Sequence, residues 1–213
     1  MADEKTHPNL LYLVHSRPLN ASISLDSERA GFANLQSISQ FQSLAATQHE
    51  SEYPKYLTLY SLYNGEGKID ISDVPGGTES VEFRQYALVH STSSTKRDGK
   101  ATVPFLYAFA ISPEEDEESE FVTWCKEDMK PALEGIPGHV ETRTYKLLSH
   151  THNRMNRLNE DERYWAGPPL YLNLHEFKDL TSVQMIPTKQ WSQDINEGRR
   201  GCYAMSFKLL SSE

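Results

Sequence analysis

The stretch Pro169-Leu170-Tyr171-Leu172-Asn173-Leu174-His175-Glu176-Phe177 alternates without a break. Strict alternation at this length marks a strand with two unlike faces. Leu170, Leu172, Leu174 and Glu176 share one face, and Tyr171, Asn173, His175 and Phe177 share the other. The leucine face is expected to pack on a helix layer. The second face mixes aromatic and polar groups, which suits the wall of a small-molecule cavity better than plain core. The pattern occurs twice. Pro54-Lys55-Tyr56-Leu57-Thr58-Leu59-Tyr60-Ser61-Leu62 runs in the same phase, and Tyr60 stands where His175 stands.

Working outward, Pro104 to Ile111 is expected as a strand matching Leu10 to Ser16, with Tyr107 aligned to Tyr12. Ser112-Pro113-Glu114-Glu115 announces a helix: Ser112 can cap, Pro113 suits the first position, and Glu115 can complete a capping box. Phe121, Trp124, Cys125, Met129, Ala132 and Leu133 form its apolar stripe, and Gly135 and Pro137 end it. His139 to Ser149 alternates as a strand, with Glu141, Arg143 and Tyr145 on one face. A polar, basic excursion over 150–167 precedes the central strand. A short helix within 181–196 and a strand over 199–210 follow it. In the first half, strands are expected at 10–16, 38–47, 54–62 and 81–90, a weak helix at 24–35, and loop over 65–78. The polar segment 91–100 has the composition of a linker. The order β-α-β-β-α-β therefore occurs twice, each time the ferredoxin-like arrangement. The fold class is α+β, with repeats over 9–90 and 104–210.

The 213 residues carry a net charge of −9, from 21 Lys and Arg against 30 Asp and Glu. Nucleic acid is excluded as the expected partner, because phosphate binding needs a basic face. No apolar run approaches the ~18 residues of a membrane span. Met-Ala-Asp-Glu-Lys-Thr-His-Pro-Asn lacks the apolar core of a secretory signal. The two cysteines, Cys125 and Cys202, make neither a disulfide framework nor a metal spacing. A cytoplasmic, reduced protein with no metal and no cofactor is the expectation. His150-Thr151-His152 lacks further ligands at standard spacing. Gly65-Glu66-Gly67 and Gly76-Gly77 lack the strand and helix that a phosphate-binding loop requires.

Gly135-Ile136-Pro137-Gly138, the strand with Arg143 and Tyr145, Tyr171 to Glu176, Trp191 and Arg199-Arg200 together resemble the EthD-like branch of the dimeric α+β barrel superfamily, in its longer, duplicated form. The resemblance covers the second half well and the first mainly through the strands around Tyr12 and Tyr56. It departs at Trp124-Cys125-Lys126-Glu127-Asp128, where the family often places a His in its first helix. It implies two sheets closing a barrel within one chain, a pseudo-dimer that needs no second copy. It also implies an aromatic or polyketide-like substrate. The activities it implies are decarboxylation or cyclisation; alternatives are a cofactor-independent monooxygenase on a phenolic substrate and a non-catalytic ligand-binding barrel.

His175 is the candidate catalytic residue, since a neutral imidazole can take a proton from a phenol or an activated C–H. The competing reading is a histidine hydrogen-bonded for structural reasons. Tyr12, Tyr56, Thr58, Tyr107, Tyr171 and Asn173 are the candidate substrate-binding residues. Their phenols, hydroxyl and amide can hold a carbonyl or phenolate oxygen, or serve packing alone. Glu176, by phase, is expected on the helix side in a structural role. Arg143 could bind a carboxylate, although an ion pair with Glu141 or the acidic helix is the commoner arrangement. Cys125, in the helix stripe, is expected to be core.

Overall fold

A computed structural model describes residues 9–15, 35–44, 56–62, 81–93, 103–153, 168–186 and 203–212. Its strands are β1 (Asn9–His15), β2 (Leu35–Ser43), β3 (Tyr56–Leu62), β4 (Val81–Ser93), β5 (Phe105–Ile111), β6 (His139–Asn153), β7 (Tyr171–Phe177) and β8 (Tyr203–Ser212). The expected loop at 65–78, Trp191, Arg199, Arg200 and Cys202 lie outside the described residues, as do most of the expected helix at 24–35 and of the excursion at 150–167. Among the described residues, no helix is long and apolar enough to cross a membrane.

The chain divides into two units, 1–88 with 147–161 and 209–213, and 89–146 with 162–208. β4, β6 and β8 each pass from one unit to the other, so the units interleave along the sequence. In the first unit the strand order is β4-β1-β3-β2, and in the second it is β8-β5-β7-β6. Each is the 4-1-3-2 order of a ferredoxin-like sheet, antiparallel where its register is given. Ile38, Phe41, Leu57, Leu59, Tyr60, Leu62 and Tyr86 are buried in the first unit. There Ser149 and Ser211 donate to Gln85 and Gln40, at 3.1 and 3.2 Å, and tie the ends of β6 and β8 to β4 and β2.

In the second unit the helical segment is one run of four segments with three kinds of winding. A 3-10 turn (Glu115–Glu117) leads into α1 (Glu118–Trp124), a π-helical turn (Cys125–Met129) and α2 (Lys130–Glu134). Phe121, Cys125, Met129 and Leu133 recur every four residues. In a regular α-helix of 3.6 residues per turn, such a repeat drifts by about 40° at each step. The wider π turn takes part of that drift back, and all four side chains reach the core. It also precedes Pro131, which has no N–H to give and whose ring would press on the carbonyl four residues earlier. The Lys130 N–H bonds the Cys125 carbonyl, five residues back, in keeping with the wider winding.

The expected Ser112 cap is not formed. The residue that caps the run is Glu114, in extended conformation and without a side-chain capping bond. Ser112 Oγ instead accepts the Leu170 N–H at 3.0 Å. The helical run begins two residues later than a Ser112 cap requires, so that hydroxyl is spent joining the end of β5 to the start of β7. At the other end Gly138 has φ +82°, a conformation that side chains disfavour. A Cβ there would lie 2.5 Å from Ser182 Oγ and 2.8 Å from Asp179 Oδ2. Asp179 caps α3 (Leu180–Gln184), accepting from Ser182 N at 2.8 Å. Gly138→Ala is expected to destabilise the chain by about 1–3 kcal/mol, read as a lowered denaturant midpoint. An unchanged midpoint would show that the turn adapts.

Register assigns the two faces of the second sheet. Tyr107 pairs with His175, Phe109 with Asn173 and Ile111 with Tyr171. Tyr107, Phe109, Ile111, Tyr171 and Phe177 share a core with Phe121, Cys125, Met129 and Leu133 of the helical run and with Val183 and Ile186. The aromatic and polar face of β7 is therefore the one beneath the helices, which reverses the expected assignment. Alternation distinguishes two faces but carries no label for which side the helices occupy; the long aromatic side chains supply the contact. Leu172 and Leu174 lie on the opposite face with Ala108, Ala110, Arg143 and Tyr145. Glu176 belongs to this face too, contrary to its expected helix-side position, and accepts from Arg143.

Candidate functional site

A layer between sheet and helix is ordinarily apolar, yet here it holds a row of polar side chains. A bulge between His139 and Glu141 shifts the phase of β6, bringing His139 onto the same face as Thr142 and Thr144. Thr142 and Thr144 stand opposite His175 and Asn173. Thr142 Oγ1 lies 2.9 Å from His139 Nε2 and 3.0 Å from His175 Nδ1. Thr144 Oγ1 donates to Asn173 Oδ1 at 2.7 Å. Asn173 and His175 are both 0 % exposed, and neither Asn173 Nδ2 nor His175 Nε2 has a hydrogen-bond partner. Buried polar atoms are nearly always satisfied, so two orphans on one strand face single out this part of the layer as the candidate site.

Aromatic rings frame this layer. Tyr107 packs on His175 with ring centroids 5.8 Å apart, and Phe177 meets His139 edge-on at 5.4 Å. At the far end Tyr171 leans on Phe121 at 5.1 Å and donates its hydroxyl to Glu118 Oε1 at 2.5 Å. Lys146 Nζ donates to the same oxygen. These two bonds, Lys146 foremost, hold the Glu118 carboxyl below its usual range. Burial, with Glu118 adding to it, pushes the Tyr171 phenol up, so it remains a donor. Tyr171→Phe is expected to cost about 1 kcal/mol, the figure for an ordinary bond, because solvent reaching Glu118 offsets the gain from its charge. Thermal unfolding of the single variant measures it; no change would make the contact incidental.

Burial, with His139 adding to it, drives the His175 pKa down to about 3. Burial also lowers His139, opposed by Glu134 and by the backbone and carboxylate of Glu141. Both rings are neutral at pH 7. Cys125 is core, as expected, with its thiol pushed up to about 12 by burial, so it offers no thiolate. The unfolded chain protonates His175 near 6.5, whereas the folded chain resists until about 3. This contribution to stability is full above pH 6.5 and falls as the pH drops toward 3. His175→Gln should flatten the stability–pH curve in that window; an unaltered slope in urea titrations would count against the assignment.

Tyr107, Tyr171, Asn173 and His175 thus come together, on the helix side of the sheet. Thr58 is buried and Tyr56 half-buried on β3 of the first unit. Tyr12 was grouped with them, but its position on β1 is opposite Leu59 and Arg84, in the row of the leucines; Leu13 is the partner of Thr58. The β1 partner of Tyr60 is Leu11, one residue away from the expected match between Tyr12 and Tyr107. A register slip of one residue exchanges the faces. Thr142, Thr144 and His139 were not among the expected site residues. The alternation Thr142-x-Thr144-x-Lys146 resembles a solvated face, and the bulge that recruits His139 has no glycine to announce it.

On the opposite face, Arg143 is bonded to Glu176 and has Glu141 within 3.8 Å, the ion-paired arrangement expected for it. Burial opposes its charge, but Tyr145, Glu176 and Glu141 outweigh that and raise its pKa. Among the described residues, no group of three His, Cys, Asp or Glu could hold a metal ion.

No family model and no curated protein matches the chain in sequence. Solved structures do match its fold. One is an anthrone oxidase-like protein, with TM-score 0.58 at 11 % identity, covering 99 % of this chain and 94 % of that one. Another is a ferredoxin-fold protein from Listeria monocytogenes related to antibiotic biosynthesis monooxygenases, with TM-score 0.54 at 11 % identity and 96 % of each chain covered. A monooxygenase-like protein from Listeria innocua has TM-score 0.53 at 12 % identity, covering 95 % and 94 %. At such identities the likeness is one of fold. The chain has a ferredoxin-like α+β fold.

Proposed function

We propose that this chain is an enzyme that removes a proton from a phenolic or enolisable aromatic small molecule in the polar layer of the second unit. The observation that carries the reading is the pair of buried, unpartnered atoms, His175 Nε2 and Asn173 Nδ2. His175 is the proton acceptor, a weak base because burial disfavours its imidazolium, so the oxyanion that forms beside it must stabilise that charge; the amide of Asn173 donates to the substrate oxygen on which the negative charge develops. Tyr107 and Tyr171 wall the site. Tyr56 and Thr58 of the first unit, and Tyr12 with them, are not required by this reading.

The substrate anion then has several fates, of which oxygenation is the one favoured by the names of the fold neighbours, an anthrone oxidase-like and a monooxygenase-like protein. In that reaction an activated CH2 and O2 give C=O and water, with no cofactor. Decarboxylation or cyclisation would begin from the same deprotonated site, but no feature of the polar layer favours them. Anthrone supplied in aerated buffer should consume one O2 per molecule without added flavin or metal. Failure of anthrone and related hydroxyaryl ketones to react or bind would overturn the reading.

The shared 4-1-3-2 order and the recurrence of the β7 pattern in β3 support a further part of the proposal, that the two units are copies of one module and the chain acts as a single copy. A melting temperature independent of protein concentration is expected. One that falls on dilution would point to an obligate oligomer.

A further inference from the structure

The polar layer is closed unequally at its two ends. Along β7 it runs from Tyr171 through Asn173 and His175 to Phe177. The helical run crosses it in that direction, starting with Phe121 against Tyr171 and leading to Ile136, whose carbonyl accepts the His139 N–H. Over 125–134 the run buries Cys125, Met129 and Leu133. Over 115–124 it buries Phe121 alone. Half-buried Trp124 adds a ring contact at 6.3 Å with Phe109, the β5 partner of Asn173. The π turn divides the two parts.

What else holds the first part down is polar and reached by solvent. Glu118 Oε1 takes both the Lys146 ammonium and the Tyr171 hydroxyl, and both donors stand on the sheet. The side chains of Lys146 and Glu118 are 44 % and 33 % exposed. The start of the run has no side-chain capping bond to add to this. Segments with few buried apolar contacts and exposed hydrogen bonds are the ones that open independently of the rest of a fold. Asn173 and His175 are both 0 % exposed, so the layer has to open before anything enters it, and the Tyr171 end has least to break.

Resting on the site proposed above, we infer that residues 115–124 are a cover over the polar layer, latched at Glu118 by Lys146 and Tyr171. The cover opens by itself at the Tyr171 end and admits a small molecule toward Asn173, while 125–134 stays packed on the core.

Hydrogen exchange, followed by NMR in urea concentrations below the unfolding transition, reads this opening. Asn173 Nδ2 has no partner, so its protons exchange when solvent reaches them and no bond has to break. The backbone amides of 121–124 and the side-chain amide of Asn173 are expected to exchange at rates that depend weakly on urea. Those of Met129 and Leu133 should depend on it steeply, as whole-chain unfolding does. Lys146→Met combined with Tyr171→Phe leaves the helical sequence untouched and removes both donors. It should speed exchange of 121–124 and of the Asn173 side chain about fivefold, the equivalent of one ordinary hydrogen bond. A steep urea dependence shared by all these amides would overturn the inference. So would an Asn173 side chain that exchanges with Leu133 rather than with 121–124, or a double variant that exchanges like the original. Neither measurement depends on turnover. Absent oxygen uptake with these results intact would sink the proposed reaction and leave the cover standing.

Discussion

Replacement of His175 by glutamine is expected to lower turnover by about 10²–10⁴, the range for losing a general acid or base. Glutamine is close in size and polar, so the layer beneath the helices keeps its volume, and the folded state should persist at pH 7. Asn173→Leu should behave differently, weakening binding as well as turnover, because a buried acceptor on the ligand would lose its donor. Steady-state kinetics on the responsive hydroxyaryl ketone, with circular dichroism as the control for folding, distinguishes these cases. Activity of His175→Gln within a few-fold of the original would remove His175 from the chemistry and leave it a structural member of the layer.

Arg143→Met is expected to have the largest effect on stability, about 3 kcal/mol, the lower end for breaking a buried ion pair because the guanidinium keeps some exposure. Arg143 bonds Glu176 and lies 3.8 Å from Glu141. Methionine fills most of the space and leaves the carboxylate of Glu176 without that bond. Arg143→Lys should recover only part of the loss, since an ammonium cannot reproduce a planar fork of donors. Urea unfolding of the two variants at pH 7 measures this. A loss below about 0.5 kcal/mol for Arg143→Met would mean that solvent already screens the pair.

The two-faced character of Tyr171 to Phe177 was legible from alternation alone, and so were the strands of both units and the helices of the second. The helix stripe through Phe121, Cys125, Met129 and Leu133 was legible as well, because four residues is close enough to one turn to reveal a face. The side of the sheet that the helices cover was not legible. A period of two is symmetric about the sheet, and Leu172 and Leu174 are as fit for one side as for the other. The position of Ser112 was two residues from usable, a distance that capping arguments from sequence cannot resolve. His139 was hidden by a bulge, and a bulge shows its effect in register rather than in composition.

Pro131 and the π turn before it bear on how this helix tolerates insertions and deletions. A π turn is an α-helix with one residue too many, taken up locally. Lineages that lose one residue between Cys125 and Met129 would return to regular winding with the flanks still in phase, since Phe121 and Leu133 would then differ in direction by only about 20°. Leu133 would keep its place in the core, but Pro131 would meet the carbonyl that the wider turn now moves aside. The length of this segment and its proline are therefore tied together: a related chain with a shorter helix should also lack the proline.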